Sequence, residues 1–362
     1  MPASKSSKRA SPKSSAKKIE VGILGATGMV GQHFAALLAE HPWFRVTWLA
    51  ASERSAGKKY GELPWRLSMP LPEATAKLSV EPLKAGAGPQ VVFSALDSSV
   101  AGEAETEFAA AGHIVVSNAR NHRMDALVPL LIPEVNPDHL GLVALQKKAN
   151  GWKGAIITDP NCSTIVLAIA LAALRGLKPK RVLVTTLQAL SGAGYPGVAS
   201  LDAAANVIPH IEGEEEKMES EAKKILGRFV AGVIQPYPVT ISATTTRVPV
   251  VHGHTESISV EFEKSVSRDE ILAAFQGFTG EPQSLGLPTA PATPIIYMSQ
   301  PNRPQPRLDA ERDGGMTVYV GRLRPCSVLG HKFIAMGHNV IRGAAGAAIL
   351  NAELMAAKKL LG

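Results

Sequence analysis

Cys162 lies in the run Asp159-Pro160-Asn161-Cys162-Ser163-Thr164, ahead of a long apolar stretch. Asparagine is a favourable helix N-cap and the apolar residues that follow suffice for a helix, so the thiol falls in its first turn. A helix N-terminus favours thiolate over thiol, which predicts a lowered cysteine pKa, and its free N–H groups could stabilise an oxyanion. That combination suits a covalent nucleophile working through a thioester. A solitary cysteine is more often a small buried hydrophobe. Cys326, between Pro325 and Ser327, has no such cap and fits that plainer description.

A second chemical signal is VGILGATGMVGQ, where Gly22, Gly25, Gly28 and Gly31 recur every third residue between a strand-like and a helix-like stretch. Glycine lets the chain turn tightly and approach a pyrophosphate, whose charge is met by the helix N-terminus. A tight turn with close helix–strand packing would use the same glycines, but the flanking pattern favours a dinucleotide loop. Gly25, Thr27, Gly28, Met29 and Val30 are the expected contacts there, with Ser94 at the end of a later strand. An NAD site usually sets an acid about 20 residues beyond the loop, at the ribose 2′-hydroxyl. Here that region reads Ala50-Ala51-Ser52-Glu53-Arg54-Ser55. Ser52, Arg54 and Ser55 could hold a 2′-phosphate, with Lys58 and Lys59 adding positive charge, so NADP is the expected cofactor; Glu53 leaves NAD open.

These groups need a scaffold. From Ile19 onward, apolar runs at 19–24, 45–50, 91–94 and 113–117 alternate with helix-like segments at 30–38 and 101–111. This alternation predicts a Rossmann-like, doubly wound parallel α/β sheet over residues 19–160. Beyond Pro160, a helix over 162–174 leads to β-branched runs at 181–186, 248–251 and 257–262. They predict an α+β domain with a largely antiparallel sheet over 161–338. A helix over 343–361 is expected to bring residues 339–362 back onto the first domain.

A chain of 362 residues with 45% hydrophobic content has room for two such cores. Two cysteines exclude a disulfide framework and a structural zinc set, so no metal is expected and a reducing, cytoplasmic compartment is. The net charge of +7 is local: Lys5, Lys8, Arg9, Lys13, Lys17 and Lys18 crowd residues 1–18, where no acid occurs. The rest of the chain is near neutral, so a nucleic-acid partner is not expected, and the tail reads as a disordered, solubilising extension. It lacks the amphipathic face of a transit peptide. No apolar run approaches the roughly 20 residues of a membrane helix, and no signal-peptide core follows the basic start.

The motifs GATGMVG, SNARNHR, DPNCST, QALSGAGYPG, GEEEKM, RVPVVHGHTES and GHNVIRGAAG follow one another from Val21 to the C-terminal helix. In this series the chain resembles the aspartate-β-semialdehyde dehydrogenases of the archaeal and fungal branch; residues 1–18 lie outside the likeness. The resemblance implies NADPH-dependent conversion of L-aspartyl-β-phosphate to L-aspartate-β-semialdehyde. Cys162 would displace phosphate to give a thioester that hydride then reduces. It implies His254 as the acid/base residue, with His252 as the local rival, and Gln188 as the group that orients the substrate carbonyl. Arg247 would clamp the α-carboxylate, and Glu214, or Glu215 one register on, would meet the α-ammonium. Lys217 and Arg123 would bind phosphate, with Arg120 the rival of Arg123. Ser191, Gly192 and Asn339 would touch the cofactor, although Asn339 could equally cap the last helix. A homodimer or homotetramer built on the second domain's sheet is also implied.

Two other functions compete. A malonyl-CoA reductase would share the cysteine and cofactor chemistry but has no α-amine to bind, so Glu214 discriminates. More distant is a non-catalytic dinucleotide-binding protein whose basic tail engages nucleic acid or anionic lipid, since fold alone never proves activity.

Overall fold

The structure, a computed structural model, describes residues 17–361; the expectations for residues 1–16 lie outside it. Six strands form the first sheet: β1 (Ile19–Leu24), β2 (Phe44–Ala51), β3 (Val80–Pro82), β4 (Val91–Ser94), β5 (Ile114–Ser117) and β6 (Ala155–Thr158). Every pairing is parallel and the order is β3-β2-β1-β4-β5-β6. Strands β4, β5 and β6 read VVFS, IVVS and AIIT and are buried at every position. Such unbroken apolar runs, without alternation, are what a sheet covered on both faces requires. Between β1 and β4 the winding reverses, which opens a crevice at the carboxyl ends of those strands.

The second sheet holds β7 (Pro179–Gln188), β10 (Thr240–Arg247), β11 (His254–Phe262), β12 (Ile295–Met298), β13 (Val318–Cys326) and β14 (Gly330–Gly337). A separate hairpin pairs β8 (Arg228–Val230) with β9 (Val233–Gln235). The six-stranded order is β10-β7-β11-β14-β13-β12, with antiparallel pairs in the middle and a parallel pair at each edge. Along β7 burial alternates: Val182, Val184, Thr186 and Gln188 face inward while Arg181, Leu183, Thr185 and Leu187 face out. One face is therefore packed and the other open.

The strand expected at 248–251 is not there. The strand is instead the threonine-rich TISATTTR of β10, which ends at Arg247. Pro249 has no N–H for a ladder, and the Val250 N–H turns back to the Val248 carbonyl at 2.8 Å.

The helix Cys162–Ala173 packs on the second sheet, sharing a core with Val182, Val184, Ile258 and Phe333, and every side chain from Ser163 to Leu171 is buried. A helix apolar all round can only be a central one. The C-terminal helix runs Gly346–Ala357 after a π turn at Ile341–Ala345, and its Ile349, Leu350 and Met355 share a core with Ile23, Phe34 and Phe93 of the first sheet's side. No described helix is long and apolar enough to cross a membrane.

Candidate active site

The sulfur sits where the cysteine helix meets one end of the second sheet. Asn161 caps that helix, its Oδ1 accepting the N–H groups of Ser163 (2.9 Å) and Thr164 (3.2 Å). Arg247 ends β10 opposite Gln188, which ends β7, and β11 begins beside them at His254. Cys162 Sγ lies 3.2 Å from His254 Nε2, and His254 Nδ1 accepts the Ala189 N–H at 3.0 Å. His252 faces elsewhere: its Nδ1 pairs with Ser191 Oγ at 3.0 Å and its ring stacks on His338.

The helix Glu214–Ile225 carries the charged groups of the site on one face. Positions 214, 217 and 221 recur at three and four residues, the spacing that aligns side chains along a helix. Glu214 accepts both bonds of Asn161 Nδ2 at 2.9 Å, one from Lys217 Nζ at 2.8 Å and one from Gln188 Nε2 at 3.3 Å. Glu215 points away and accepts the Thr245 N–H of β10 at 2.9 Å. Glu221 joins Arg123 Nη1 (3.1 Å) to the Asn161 N–H (2.8 Å). Arg123 is buried, whereas Arg120 is exposed. The loop bearing Arg123 is gripped by Lys224, whose Nζ donates to the carbonyls of Arg123, Asp125 and Val128 at 2.7–2.9 Å.

The electrostatics overturn one expectation. Burial, and then Glu214, push the Cys162 thiol up to about 12, against the pull of Arg247, Arg123 and Lys217. Desolvation of a thiolate outweighs what the helix terminus was expected to give. Burial, with Arg247 and His338 nearby, holds the His254 imidazole well below its ordinary range. Glu214 stays ionised: burial would raise it, but Lys217, Asn161 and Gln188 together bring it below the usual carboxylate value.

A cavity of about 220 Å³ reaches the sulfur, lined among others by Cys162, Arg123, Ser191, Gly192, Asn339 and Gly343. It adjoins a larger one of about 780 Å³ at the β1/β4 crevice, lined by Gly25, Thr27, Gly28, Met29, Val30, Ser52 and Arg54. Gly25 has φ +74°, and a Cβ there would fall 2.5 Å from the Ala95 carbonyl oxygen. Ser55, Lys58, Lys59 and Glu53 do not line this cavity. Nor does Ser94, which is fully buried and donates its hydroxyl to Glu105 at 2.6 Å. Arg54, beside the end of β2, lines the cavity together with Arg66 and one carboxylate, Asp97, and a guanidinium there suits a 2′-phosphate. Asn339 does not cap the last helix. Its Oδ1 accepts the Gly253 N–H and its Nδ2 donates to Ser191 Oγ; His338 Nδ1 takes the N–H groups of Val340 and Ile341 instead.

The family model for the semialdehyde dehydrogenase NAD-binding domain matches residues 20–143, and that for the semialdehyde dehydrogenase dimerisation domain matches residues 171–342. An aspartate-semialdehyde dehydrogenase of Archaeoglobus fulgidus is 51% identical over 346 residues, covering 95% of this chain and 100% of that one. The chain belongs to the aspartate-semialdehyde dehydrogenase family. The aspartate-semialdehyde dehydrogenase of Candida albicans, solved with NADP, superposes with a TM-score of 0.88 at 41% identity, over 95% of this chain and 100% of that one. A malonyl-CoA reductase (NADP) of Metallosphaera sedula is 40% identical over 350 residues, 94% of this chain and 98% of its own.

Several groups that shape this family member's site carry no role in the sequence reading. Glu221 lies seven residues after Glu214, and that helical spacing was a usable signal. Arg66 lines the larger cavity with its guanidinium 4.1 Å over the Tyr195 ring, a pairing between distant loops that no local pattern announces. Gly343 packs on Cys162 so closely that a Cβ would fall 2.7 Å from Cys162 Cβ. The neighbouring Arg342 makes a two-pronged, fully buried pair with Glu134 at 2.8 and 2.9 Å, which anchors that turn.

Proposed function

We propose that this protein converts L-aspartyl-β-phosphate and NADPH to L-aspartate-β-semialdehyde, phosphate and NADP through a thioester on Cys162. The observation that carries this reading is the 3.2 Å contact of Cys162 Sγ with His254 Nε2, set between the oppositely charged Arg247 and Glu214. The substrate carries an α-carboxylate, an α-ammonium and a phosphate. Arg247 offers a planar fork to the carboxylate. Glu214, ionised and buried, suits the ammonium, and Arg123 with Lys217 suits the phosphate. Asn161 takes the N–H groups of Ser163 and Thr164, so Gln188 and the Cys162 N–H are the donors that would meet the carbonyl oxygen as it becomes an oxyanion. Attack by the sulfur forms the C–S bond and breaks the acyl C–O bond, with the electron pair leaving on phosphate. Gly25, Gly28, Ser52 and Arg54 of the larger cavity, with Asn339 of the smaller one, would hold the cofactor, which would supply the hydride that reduces the thioester. Ser191, through its bonds to Asn339 and His252, holds that boundary in place.

The test is a rate comparison. Aspartate semialdehyde with phosphate and NADP should turn over, while malonyl-CoA with NADPH should not; the reverse ranking would replace this reading with an acyl-CoA reductase. Glu214→Ala should raise KM for the semialdehyde and leave KM for NADP unchanged. A preference for NAD in kcat/KM would reject the role given to Arg54.

The proposal extends to assembly. Leu183 and Leu187 stand 46% and 40% exposed on the open face of the second sheet, which suits a homodimer or a tetramer of such dimers. A monomeric mass by light scattering would reject it. Two unpaired thiols suit a reducing, cytoplasmic setting.

A further inference from the structure

We propose that Asp159, held as the neutral acid, is a positioning residue that anchors Arg123 through buried water at the one guanidinium nitrogen left free by its other partners, without cancelling the charge that meets phosphate. The proposal rests on the reading of Arg123 as a phosphate ligand and names what holds it in place.

Three strands end side by side at the carboxyl edge of the first sheet: Ser94 of β4 is in register with Ser117 of β5, and Ser117 with Thr158 of β6. The next residues along, Asn118 and Asp159, share that edge, and the Asp159 N–H donates to the Ser117 carbonyl at 3.0 Å. From the helix Ser98–Ala110, Glu105 Oε1 accepts the hydroxyls of Ser94 and Ser117 at 2.6 and 2.7 Å. Arg123 uses Nη1 on Glu221 and Nη2 on the Asn118 carbonyl at 2.8 Å. The remaining polar atoms form one buried set. Arg123 Nε, both carboxyl oxygens of Asp159, Asn118 Oδ1 and Glu105 Oε2 have no hydrogen-bond partner among the described residues. Asp159 is 1% exposed, so bulk solvent does not serve it.

This set is short of donors. With Asp159 ionised, the Arg123 Nε–H is a single donor among four oxygens. Asn118 cannot supply another by turning its amide, because its Nδ2 already donates to the Ser94 carbonyl at 3.3 Å. A proton on Asp159 converts one acceptor into a donor. It belongs on Asp159 rather than on Glu105, whose two hydroxyl donors favour the charged form. These atoms lie beyond direct bonding distance of one another, and a buried water making about three bonds would join them. Charge points the same way. The groups facing Asp159 are Arg123 from the loop after β5, Glu221 from the helix Glu214–Ile225, and Glu105. Glu221 already balances Arg123, and an ionised Asp159 would leave the cluster net negative where phosphate binds. Burial raises the Asp159 carboxyl well above its ordinary range against the pull of Arg123, and Glu221 and Glu105 add to the rise.

Two measurements decide the matter. The first is the infrared difference spectrum between the full-length protein and Asp159→Asn at about pH 7, where an ordinary aspartate is ionised. It should contain the carbonyl stretch of one protonated carboxylic acid, shifted in deuterium oxide. A carboxylate band in its place overturns the proposal. The second is KM for phosphate with aspartate semialdehyde and NADP. Asp159→Ala removes the anchor and should raise this KM about tenfold, the loss of one bond to a charged group, with KM for NADP unchanged. Asp159→Asn is neutral at every pH and keeps a donor and an acceptor, so it should recover most of that loss. An unchanged phosphate KM in Asp159→Ala, which a purely structural role would give, overturns the proposal, as do equal rises in the two variants. Should Asp159→Ala fail to fold, a tenfold rise in Asp159→Asn overturns it alone. The infrared readout needs no substrate, so failure of the semialdehyde assay would defeat the substrate reading and leave the protonation result standing.

Discussion

At the cofactor end of the cleft, the cavity is lined by backbone at Gly25 and Gly28 and by exposed side chains such as Ser52 and Arg54. At the sulfur end, Arg123 lines the cavity, and Glu214, Glu221, Arg247 and His254 lie buried around the cysteine, cross-braced by bonds from three chain segments. One end recognises a phosphate-rich ligand that stays partly in water, where a loop and a helix terminus suffice. The other must hold opposite charges at fixed positions in a low dielectric, where each charge needs a partner. Damage at the first end should therefore appear in cofactor KM, and damage at the second in kcat and stability together.

The sharpest break falls on Cys162, the proposed nucleophile. Cys162→Ala removes the atom that forms the thioester, and kcat should drop by about 10⁵-fold or more. NADP affinity, measured by fluorescence quenching, should stay within a factor of two of wild type, about 0.4 kcal/mol. Next comes Gly343→Ala. Its methyl carbon would fall 2.7 Å from Cys162 Cβ, so the helix start or the π turn must shift. A displacement near 1 Å costs about 100-fold in kcat, and overpacking costs about 1–3 kcal/mol in stability. Wild-type kcat in this variant would show that the turn yields without moving the sulfur.

Glu221→Ala leaves the buried Arg123 without its carboxylate and the Asn161 N–H without its acceptor. Breaking a buried pair in this way costs about 3–5 kcal/mol, read by urea unfolding, and KM for phosphate should rise because Arg123 loses its anchor. Unchanged stability would mean that Arg123 finds another partner, and the cross-bracing would not distinguish the two ends. Arg54→Ala should act at the other end alone, raising KM for NADP about tenfold, the loss of one charge-assisted contact. The values for NAD and for kcat should hardly move.

These contrasts also explain what could be read from the sequence. The glycine loop and the capped cysteine were legible because each is a local arrangement, fixed by a few adjacent residues and one turn of backbone. The parallel sheet was legible from apolar runs such as VVFS and IVVS. β10 was misplaced because TISATTTR buries threonines, whose hydroxyls hide the apolar pattern, while Val248-Pro249-Val250-Val251 imitates it. The pairing of Arg123 with Glu221 joins residues 98 apart in the chain, and nothing in either neighbourhood records it. The lowered thiol pKa expected from the helix terminus failed for the same reason: desolvation is set by everything packed around the sulfur, not by its own turn.

The smallest effect concerns Glu256, whose two carboxylate oxygens have no hydrogen-bond partner among the described residues. It sits on β11 opposite Thr186 of β7, two residues from His254 and facing inward like it. Its counterpart in the first half, Glu105, is also buried but receives the hydroxyls of Ser94 and Ser117. Burial alone pushes Glu256 well above the ordinary carboxylate range. The folded state therefore keeps a proton that the unfolded chain loses above about pH 4.3. Stability from this group is fully present below that pH and falls as pH rises toward the raised folded value. Glu256→Gln is neutral at every pH and should remove that slope, so its Tm should gain on wild type as pH is raised from 4 to 8. Parallel Tm curves for the two proteins would show that Glu256 titrates normally, through partners supplied by buried water.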